Sequence, residues 1–371
     1  MNENSQKIVV AMSGGVDSCA AALMLKEQGH QVIGVSMQVW DYRKNGGSAS
    51  RATCCAPSDF DDARIIAEKT DFPYYVFDFE DSFHQAVIQP FINSYLNGLT
   101  PNPCLNCNRY VKFHQLRTRA NALGTKIVAT GHYAQIKQKN DNDLLGLYTS
   151  EDDTKDQSYF LYAMSQEDLK TTVFPVGHMK KTDVRKYLAD RGFKVSSKPE
   201  SQDICFVSDT VGSFIEKNLK VKPEGGEIID SEGNKLGNHE GIHQYTVGQR
   251  KGLKIAHEHP LYVLNIDTNN NKIIVGNKDQ LEQKDFYLDD VNWISGKAPD
   301  KAIEALVKLR YRHHGSLCRI HALPNNRCYL EFLNDWAAVS PGQAAVFYNQ
   351  ETELDGSREI LGGGIITKKE T

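Results

Sequence analysis

An early segment of the chain reads Met12-Ser13-Gly14-Gly15-Val16-Asp17-Ser18, and it lies between the apolar run Ile8–Ala11 and the alanine-rich segment Cys19–Gln28. A β-branched run, a glycine pair and a strong helix former indicate a buried strand that turns sharply into a helix. Unpaired backbone N–H groups and the helix dipole bind anions at such a helix N-terminus. Because glycine has no Cβ, a phosphate group can approach this backbone closely. The segment therefore predicts a phosphate-binding loop.

Strand-like runs alternate with helical patterns over the first part of the chain. The predicted strands are Ile8–Met12, Gln31–Val39, Tyr74–Phe79 and Lys126–Thr130. The predicted helices are Cys19–Gln28, Asp59–Lys69, Ser82–Asn97 and Tyr110–Leu123. This alternation is typical of a parallel sheet with helices on both faces, which binds ligands at the carboxyl ends of its strands. The glycine loop follows the first of these strands.

A hairpin and a basic segment follow this alternation. Two polar strands between residues 133 and 149 predict the hairpin, and short helices are predicted over Gln166–Thr171 and Lys180–Arg191. The basic segment contains Lys180, Lys181, Arg185, Lys186, Arg191, Lys194 and Lys198. A solvated helix face and a track for RNA phosphates both explain such a run.

Beyond about residue 208, short strands with turn signals replace the helical patterns. The predicted strands are Gly225–Asp230, Tyr262–Asp267, Lys272–Gly276, Ala302–Leu309, Leu317–Ala322, Cys328–Phe332, Ala344–Tyr348 and Glu359–Ile366. We therefore predict an α/β chain in which a Rossmann-like parallel sheet over residues 1–208 precedes a small central β domain over 209–280. A C-terminal β-barrel over 281–371 completes the chain.

Composition limits the classes of function. The 371 residues carry 43 Lys and Arg against 47 Asp and Glu, a net charge of −4, which excludes a globally basic nucleic-acid coat but permits local basic patches. No apolar run approaches the roughly 20 residues that span a bilayer. We therefore expect a cytoplasmic protein without a membrane partner, in which the 8 cysteines are thiols, metal ligands or catalysts rather than a disulfide scaffold.

The cysteines fall into two groups. Cys19, Cys318 and Cys328 lie within predicted helix or strands and are expected to fill the core. Cys54, Cys55, Cys104, Cys107 and Cys205 lie in polar, glycine-rich or proline-rich surroundings. A helix that begins near residue 109 would place Cys107 at its N-terminus, where the thiolate is favoured. The Cys104-x-x-Cys107 spacing alternatively suits a redox pair or half of a zinc or iron–sulfur site.

Two loops and one strand complete the candidates. In Ala129–Tyr133, Gly131 would allow a ligand to approach closely and His132 could donate a hydrogen bond to it. The charged, amide and aromatic residues of Lys155–Leu161 suit a stacked base, although a helix start at residue 158 explains part of the pattern. In Lys308–His314 a strand would present its basic residues on one face, which suits RNA phosphates or a charged barrel edge.

The glycine loop resembles the SGGxDS loop of the PP-loop ATP pyrophosphatases, which split ATP into AMP and pyrophosphate. The whole chain resembles the bacterial tRNA-specific 2-thiouridylases. The matching motifs are AMSGGVDS at 11–18, TPNPCLNCN at 100–108, ATGHYA at 129–134, KDQSYFL at 155–161, SQDICF at 201–206, YTVGQRKGL at 245–253, RYR at 310–312 and SPGQ at 340–343.

The resemblance implies a set of functional residues. ATP contacts are implied at Ala11, Met12, Ser13, Gly14, Gly15, Val16, Asp17, Ser18, Met37 and Gly131. Contacts with the target base are implied at Asn102, Pro103 and Cys104, and contacts with tRNA at His132, Lys155, Asp156, Gln157, Arg310, Tyr311 and Gln343. Cys107 matches a catalytic cysteine, and Cys205 matches the cysteine that carries a persulfide.

The implied reaction is ATP-dependent 2-thiolation of the wobble uridine, position 34 of tRNA. Adenylation with ATP and Mg²⁺ turns the C2 oxygen into a leaving group, and a cysteine persulfide replaces it, with release of AMP and pyrophosphate. The expected partners are tRNA and a sulfur-donor protein such as a cysteine desulfurase, and the expected state is a monomer.

One departure from the family leaves an alternative open. Many relatives carry Asp where this chain has Cys104, so that Cys104, Cys107 and Cys205 could instead hold a [4Fe–4S] cluster. Another PP-loop ligase or thiolase acting on tRNA and a non-catalytic tRNA-binding protein are the remaining alternatives. The first has no use for the cysteines, and the second has no use for an ATP loop.

Overall fold

The computed structural model describes residues 5–41, 57–139, 143–200, 204–219, 223–334 and 336–368. Cys54, Cys55, the first half of the SQDICF motif (201–203) and the centre of the predicted hairpin (140–142) lie outside these ranges. None of the helices within the described ranges has the length and apolar character needed to cross a membrane.

A parallel sheet forms the core of the first part of the chain, and the predicted strands are confirmed to within two residues. The strands of this part are β1 Lys7–Ala11, β2 Gln31–Gln38, β3 Tyr74–Asp78, β4 Val128–Thr130, β5 Ala134–Gln138, β6 Leu145–Thr149 and β7 Thr172–Val173. The sheet has the order β3-β2-β1-β4-β7, and each neighbouring pair is parallel.

The strand order reverses beside β1. From β1 the chain builds outward to β2 and β3, and it then returns to place β4 on the other side, so that Ala11 pairs with both Val35 and Thr130. In open α/β sheets, ligands bind at the carboxyl ends of the strands where this reversal opens a crevice. The loops that follow β1 and β4 therefore frame the expected binding position.

Helices cover this sheet and continue into the central domain. The α-helices are α1 Val16–Glu27, α2 Pro57–Lys69, α3 Glu80–Phe83, α4 Gln89–Leu96, α5 Pro103–Asn106, α6 Leu116–Ala122, α7 Gln166–Lys170, α8 Lys181–Ala189 and α9 Val211–Asn218. Short 3₁₀ turns occupy Ser158–Leu161, Lys194–Ser197, Ile242–Gln244 and Lys278–Leu281. The alanines of α1 are fully buried and let this helix lie close to the sheet.

Two helical regions contain wider π-helical turns, His84–Ile88 between α3 and α4 and Cys107–Gln115 between α5 and α6. The prediction of a helix over 110–123 was therefore too short at its N-terminal end. Helix α5 already begins at Pro103, a residue that suits a first turn because its missing N–H needs no partner there.

The central domain is a small sheet with the order β10-β11-β8-β9. Its strands are β8 Gly226–Ile229, β9 Lys235–His239, β10 Tyr262–Asp267 and β11 Lys272–Gly276. Strands β11 and β8 are parallel, and the other pairs are antiparallel. The predicted β character is confirmed, and helix α9 precedes it.

The C-terminal part is a closed antiparallel barrel. Its strands follow the order β13-β16-β15-β14-β18-β19, and pairing of β13 with β19 closes the barrel. The strands are β12 Glu282–Gln283, β13 Asp285–Trp293, β14 Ile303–Lys308, β15 Ser316–Leu323, β16 Arg327–Phe332, β17 Ala337–Ala338, β18 Ala344–Tyr348 and β19 Glu359–Ile366. The two-residue strands β12 and β17 pair with each other beside the barrel.

The predicted hairpin is confirmed as β5 and β6, and it extends the barrel sheet rather than the parallel sheet. Tyr148 pairs with Glu359, and Leu147 pairs with Ile360. Leu147 and Tyr159 share one buried cluster with Val346 and Ile360 of the barrel. The first part of the chain and the barrel therefore have a common core.

Candidate functional site

The glycine loop lies between the carboxyl end of β1 and helix α1. Gly14 has φ +69°, and a Cβ on it would lie 1.9 Å from the carbonyl oxygen of Asp59 in α2. Gly15 caps α1 in an extended conformation and has no side chain to accept from the first-turn N–H groups. No N-cap side chain therefore occupies the first-turn N–H groups of α1, and anion binding at this loop stays a prediction.

Two serines close this loop on itself. The Ser13 N–H donates to the Ser18 hydroxyl at 3.1 Å, and that hydroxyl donates to the Gly15 carbonyl at 3.2 Å. Ser18 is buried, whereas Ser13 is exposed. Ser13 is therefore the hydroxyl of this loop that faces outward.

The loop after β4 packs against the first turn of α1. A Cβ on Gly131 would lie 2.5 Å from the carbonyl carbon of Asp17 and 2.5 Å from the amide nitrogen of Ser18. Close packing of two backbones thus explains this glycine. The two loops that frame the crevice are in direct contact.

The carboxylate of Asp17 is held by buried partners. Lys181 Nζ donates to both carboxylate oxygens at 2.7 Å, and the Tyr133 hydroxyl donates to one of them at 2.7 Å. Burial, together with the negative charge of Asp17, raises the pKa of Tyr133. Lys181 begins α8, so this ion pair ties the glycine loop to a helix far along the chain.

We expect Lys181→Met to destabilise the protein more than substitution of its neighbour. The side chain of Lys181 is 9% exposed and that of Asp17 is 29% exposed, so the variant leaves a largely buried carboxylate without its cation. The expected loss is about 2–3 kcal/mol of unfolding free energy, measured by denaturant titration. Lys180→Met, at an exposed position, is the control, and equal stability of the two variants would contradict the assignment.

A second lysine connects the loop with α2. Lys198 Nζ donates to the Gly14 carbonyl at 3.0 Å, to Asp59 at 2.6 Å and to Asp62 at 2.6 Å. Burial lowers the pKa of Lys198, but the bonds to the two carboxylates outweigh it and the net shift is upward. Lys198 thus remains a cation that fixes the outer side of the loop.

Glu200 forms ion pairs with two lysines from different parts of the first domain. It accepts from Lys155 at 2.7 Å and lies 3.3 Å from Lys181. Burial raises the pKa of Glu200, but the two lysines lower it further than burial raises it. Sequence reasoning missed this network, because the basic segment was read as a solvated face or an RNA track.

Several cations of that basic segment are engaged inside the domain. Besides Lys181 and Lys198, Arg185 donates to the carbonyls of Ser196 and Lys198, and Arg191 pairs with Glu27. The exposed members are Lys180, Lys186, Arg191 and Lys194. A phosphate track over the exposed members stays a prediction, whereas Lys181 is buried in an ion pair with Asp17.

Helix α5 positions the Cys-x-x-Cys motif. The Asn102 side chain accepts from the Cys104 N–H at 3.1 Å and caps the helix. Cys104 is exposed in the first turn, while Cys107 lies one turn further on and is half-buried. The expectation that Cys107 stands at the helix N-terminus is wrong, because the helix starts at Pro103.

Cys107 and Cys205 pack against the same apolar cluster. This cluster, hereafter the phenylalanine cluster, consists of Val39, Phe79, Phe83, Val87, Ile88, Phe91, Ile92, Tyr95, Val111, Phe206, Phe214 and Ile215. Met37, at the carboxyl end of β2, packs against it as well. Phe206 anchors the segment that follows Cys205, with its ring centroid 5.3 Å from that of Phe91. Residues that are far apart in sequence, each expected in the site, therefore border one apolar cluster.

The remaining described cysteines are core residues, as expected. Cys19, Cys318 and Cys328 are fully buried. Burial raises the pKa of each of these thiols to about 12. They remain protonated at neutral pH and are poor nucleophiles.

The described residues do not fit a metal centre. Within the described ranges, no group of three or more His, Cys, Asp and Glu side chains is arranged to hold a metal ion. Cys104, Cys107 and Cys205 thus do not form the ligand set of an iron–sulfur cluster in this structure. No protein cage for Mg²⁺ is present in these ranges either.

Three side chains expected to contact tRNA make internal contacts in the loops that carry them; they belong to His132, Asp156 and Gln157. The His132 ring is buried against Phe113 and Phe174, and its Nδ1 lies 2.6 Å from the Thr130 hydroxyl. Asp156 is buried and accepts from the Ser158 hydroxyl at 2.8 Å. Gln157 Oε1 accepts from the Tyr133 N–H at 3.0 Å. Direct contact of these side chains with tRNA stays a prediction.

We expect His132 to make stability depend on pH. Burial lowers the pKa of His132 well below its usual value of 6.5. Below pH 6.5 the unfolded chain therefore binds a proton that the folded chain does not, and stability falls as pH falls. In His132→Asn this slope should be shallower by up to about 1.4 kcal/mol per pH unit, measured by urea unfolding across that range. The exposed His257→Asn is the control, and equal slopes in the two variants would refute the assignment.

The predicted basic strand ends earlier than expected. Strand β14 stops at Lys308, and residues 310–312 form a turn before Gly315, which has φ +104°. The expectation that one strand face presents all three basic residues is therefore wrong. The ring centroids of Tyr311 and Phe160 lie 4.6 Å apart. Arg310, which precedes Tyr311 in the sequence, is exposed.

The SPGQ turn joins the barrel to the loop of residues 100–104. The Gln343 side chain donates to the Thr100 carbonyl at 2.7 Å, and the Thr100 N–H donates to the Pro341 carbonyl at 2.8 Å. Gln343 thus fixes the first residue of the loop of residues 100–104, hereafter the cysteine loop.

Comparisons with known proteins agree with this architecture. A family model described as the tRNA methyl transferase HUP domain matches residues 6–209. A tRNA methyl transferase PRC-barrel domain matches residues 212–277, and an aminomethyltransferase beta-barrel domain matches 283–366.

Curated relatives match over almost the full length. The tRNA-specific 2-thiouridylase MnmA of Geotalea uraniireducens is 46% identical over 98% of this chain and 96% of its own length. The protein of the same name from Rickettsia massiliae is 43% identical over 100% of this chain and 99% of its own. Among solved structures, an NMN synthetase from Francisella tularensis covers 54% of this chain and 68% of its own, with 16% identity and a TM-score of 0.33.

Proposed function

The chain belongs to the tRNA-specific 2-thiouridylase family, and from this membership we propose that it replaces the C2 oxygen of the wobble uridine of tRNA by sulfur, with ATP as the activating substrate. It is a sulfurtransferase that acts on tRNA uridine. The target position, the route of the sulfur and the residues involved are the proposed parts.

In this proposal the glycine loop binds ATP. Its open helix N-terminus and the loop after β4 meet at the switch point of the parallel sheet, where this type of fold holds nucleotides. The residues that hold ATP are Ala11, Met12, Ser13, Gly14, Gly15, Val16, Asp17, Ser18, Met37 and Gly131. The uridine O2 attacks the α-phosphate and releases pyrophosphate, and Mg²⁺ bound to the phosphates would neutralise their charge.

The sulfur then arrives on Cys205. The terminal sulfur of its persulfide attacks C2 of the adenylated base, and AMP leaves with the oxygen. Cys107 attacks the Cys205 sulfur and releases 2-thiouridine, which leaves a Cys107–Cys205 disulfide for reduction by an external thiol. A sulfur-donor protein restores the persulfide.

The substrate is held by the neighbouring loops. Asn102, Pro103 and Cys104 contact the target base in this proposal. The tRNA contacts are His132, Lys155, Asp156, Gln157, Arg310, Tyr311 and Gln343. The domain limits 1–208, 209–280 and 281–371 divide the chain into an ATP-using part, a central part and a tRNA-contacting barrel.

One observation carries the proposal best. Cys107, Cys205 and Met37 pack against the phenylalanine cluster, and Met37 also packs against the cluster that contains Ala11 at the end of β1. A ligase that uses ammonia or an amino acid would not need two partly exposed cysteines there. For the alternative with an iron–sulfur cluster, the described residues show no matching arrangement of ligands.

The test is nucleoside mass analysis of unmodified tRNA incubated with the purified chain, ATP, Mg²⁺, and a cysteine desulfurase with cysteine as the persulfide donor. We expect 2-thiouridine at the wobble position and pyrophosphate release that depends on tRNA. Since two of the matching family models bear a methyl transferase name, the mass also distinguishes sulfur exchange from methylation. Uridine left unchanged would overturn the proposal.

A further inference from the structure

The motif Tyr245–Leu253 takes no part in the proposed chemistry, yet it forms an ordered turn at the surface of the central domain. The Gly248 N–H donates to the Val263 carbonyl at 2.8 Å, and the Val263 N–H donates to the Gln249 carbonyl at 2.9 Å. The Gln249 side chain also donates to the Lys251 carbonyl at 3.0 Å. These bonds fix the backbone on both sides of the basic residues that follow Gln249.

The turn projects three cations and buries the leucine between them. Arg250, Lys251 and Lys254, hereafter the basic turn, are exposed, whereas Leu253 packs in the core of the central domain. Lys254 has φ +55°, in the left-handed region that side chains rarely adopt. The backbone therefore takes a less favourable conformation that keeps Leu253 inside and the cations outside.

The charges of the basic turn are not neutralised within the described part of the chain. No carboxylate in that part forms an ion pair with any of its three side chains, whereas Lys235 and Lys272 of the same domain both pair with Glu227. Three exposed cations on one short turn create a local positive potential that attracts an anionic partner.

The basic turn is joined to the cysteine loop by the SPGQ turn. The Ser340 hydroxyl donates to the Val247 carbonyl at 3.2 Å, and the next residue, Pro341, accepts from the Thr100 N–H at 2.8 Å. Val247 and Arg250 are three residues apart, so their Cα atoms lie within about 11 Å. A long polyanion bound at the cysteine loop can therefore reach the basic turn.

We propose that the basic turn binds the phosphate backbone of the tRNA, outside the segment that enters the cysteine loop; this rests on the proposed function. The chain as a whole has a net charge of −4, so a polyanion needs local cations near the site. The side chains that this motif presents outward are cationic rather than aromatic, which suits contacts with phosphates rather than readout of bases.

The test compares tRNA affinity in the full chain. The variant Arg250→Ala, Lys251→Ala, Lys254→Ala should bind unmodified tRNA about tenfold or more weakly at moderate salt. Its slope of log affinity against log salt should be smaller by about two to three, because up to three phosphate contacts are lost. In steady-state assays KM for tRNA should rise while kcat at saturating tRNA is kept.

A charge-preserving variant is the matched control. Arg250→Lys, Lys251→Arg, Lys254→Arg should keep the affinity and the salt slope, and thermal unfolding should be unchanged in both variants. Wild-type thiolation together with equal tRNA affinity in the alanine variant would overturn this inference and leave the proposed function intact. Normal tRNA affinity with slowed sulfur delivery would assign the turn to a donor protein, which also overturns it. A wild-type chain that binds no tRNA would overturn both.

Discussion

A Cys205→Ser variant is expected to release pyrophosphate from ATP in the presence of tRNA and to form no 2-thiouridine. The hydroxyl of serine cannot carry a persulfide, whereas the glycine loop that activates the uridine oxygen is untouched. Removal of a covalent nucleophile lowers turnover by about 10³-fold or more. Cys205 is partly exposed beside the phenylalanine cluster, so the substitution should cost little stability. The measurement pairs a pyrophosphate assay with mass analysis of the nucleosides.

Neighbouring cysteines supply the controls for this prediction. Cys107→Ser should also abolish release of 2-thiouridine, but the disulfide-linked adduct between Cys205 and C2 of the uridine should accumulate and be detected by mass analysis as a protein–tRNA conjugate. Cys104→Ser, at an exposed position in the first turn of α5, should still form 2-thiouridine and should change only KM for tRNA, because Cys104 is proposed to contact the base and not to carry sulfur. Loss of activity in all three variants, together with iron and sulfide in anaerobically purified protein, would instead favour a [4Fe–4S] cluster held by the three cysteines.

Gly14→Ala is expected to abolish ATP-dependent activity and to destabilise the first domain by about 3 kcal/mol or more. A left-handed backbone costs alanine about 1–2 kcal/mol. The new Cβ would in addition lie 1.9 Å from the Asp59 carbonyl oxygen, so either the loop or helix α2 must move. Overpacking of this kind adds about 1–3 kcal/mol. Denaturant unfolding and the tRNA-dependent pyrophosphate assay measure the two effects.

Two other glycines separate the causes. Gly192 has φ +74°, and no atom of the described residues lies within 4 Å of an added Cβ, so Gly192→Ala should show the backbone cost alone. In Gly15→Ala the Cβ would meet, among the described residues, the Ser13 hydroxyl oxygen at 3.4 Å, and the stability should change by about 0.5 kcal/mol or less. Equal unfolding free energies for Gly14→Ala and Gly192→Ala would show that the close contact with Asp59 does not contribute to the loss of stability.

Local patterns predicted the elements of the fold because each element is coded by nearby residues. The strand–glycine–helix unit of β1 and α1, the hairpin and the barrel strands all follow from periodicity and turn residues. Helix starts were less predictable, since a helix was expected to begin near residue 109, whereas it begins at Pro103 with Asn102 as its cap. The end of β14 at Lys308 is likewise set by a tertiary turn that alternation does not show.

The site was predictable only in part, for a physical reason. Residues that touch a ligand appear in short motifs, and those motifs identified the glycine loop and the cysteines. The partners of Asp17 and Gly14 are lysines more than 160 residues away in sequence, and their spacing carries no local signal. A long-range ion pair becomes visible only when the chain is folded.

The pairing of the hairpin with the last barrel strand also bears on how the protein is made. Thr149 and Arg358 are 209 residues apart and are joined by a backbone hydrogen bond. At ribosomal rates of about 5–20 residues per second, the hairpin emerges about 10–40 s before its partner strand. During that interval Leu147 and its neighbours have no barrel to cover them and present an open strand edge. The nascent chain is therefore a candidate client for chaperones until the C-terminal strand has been translated.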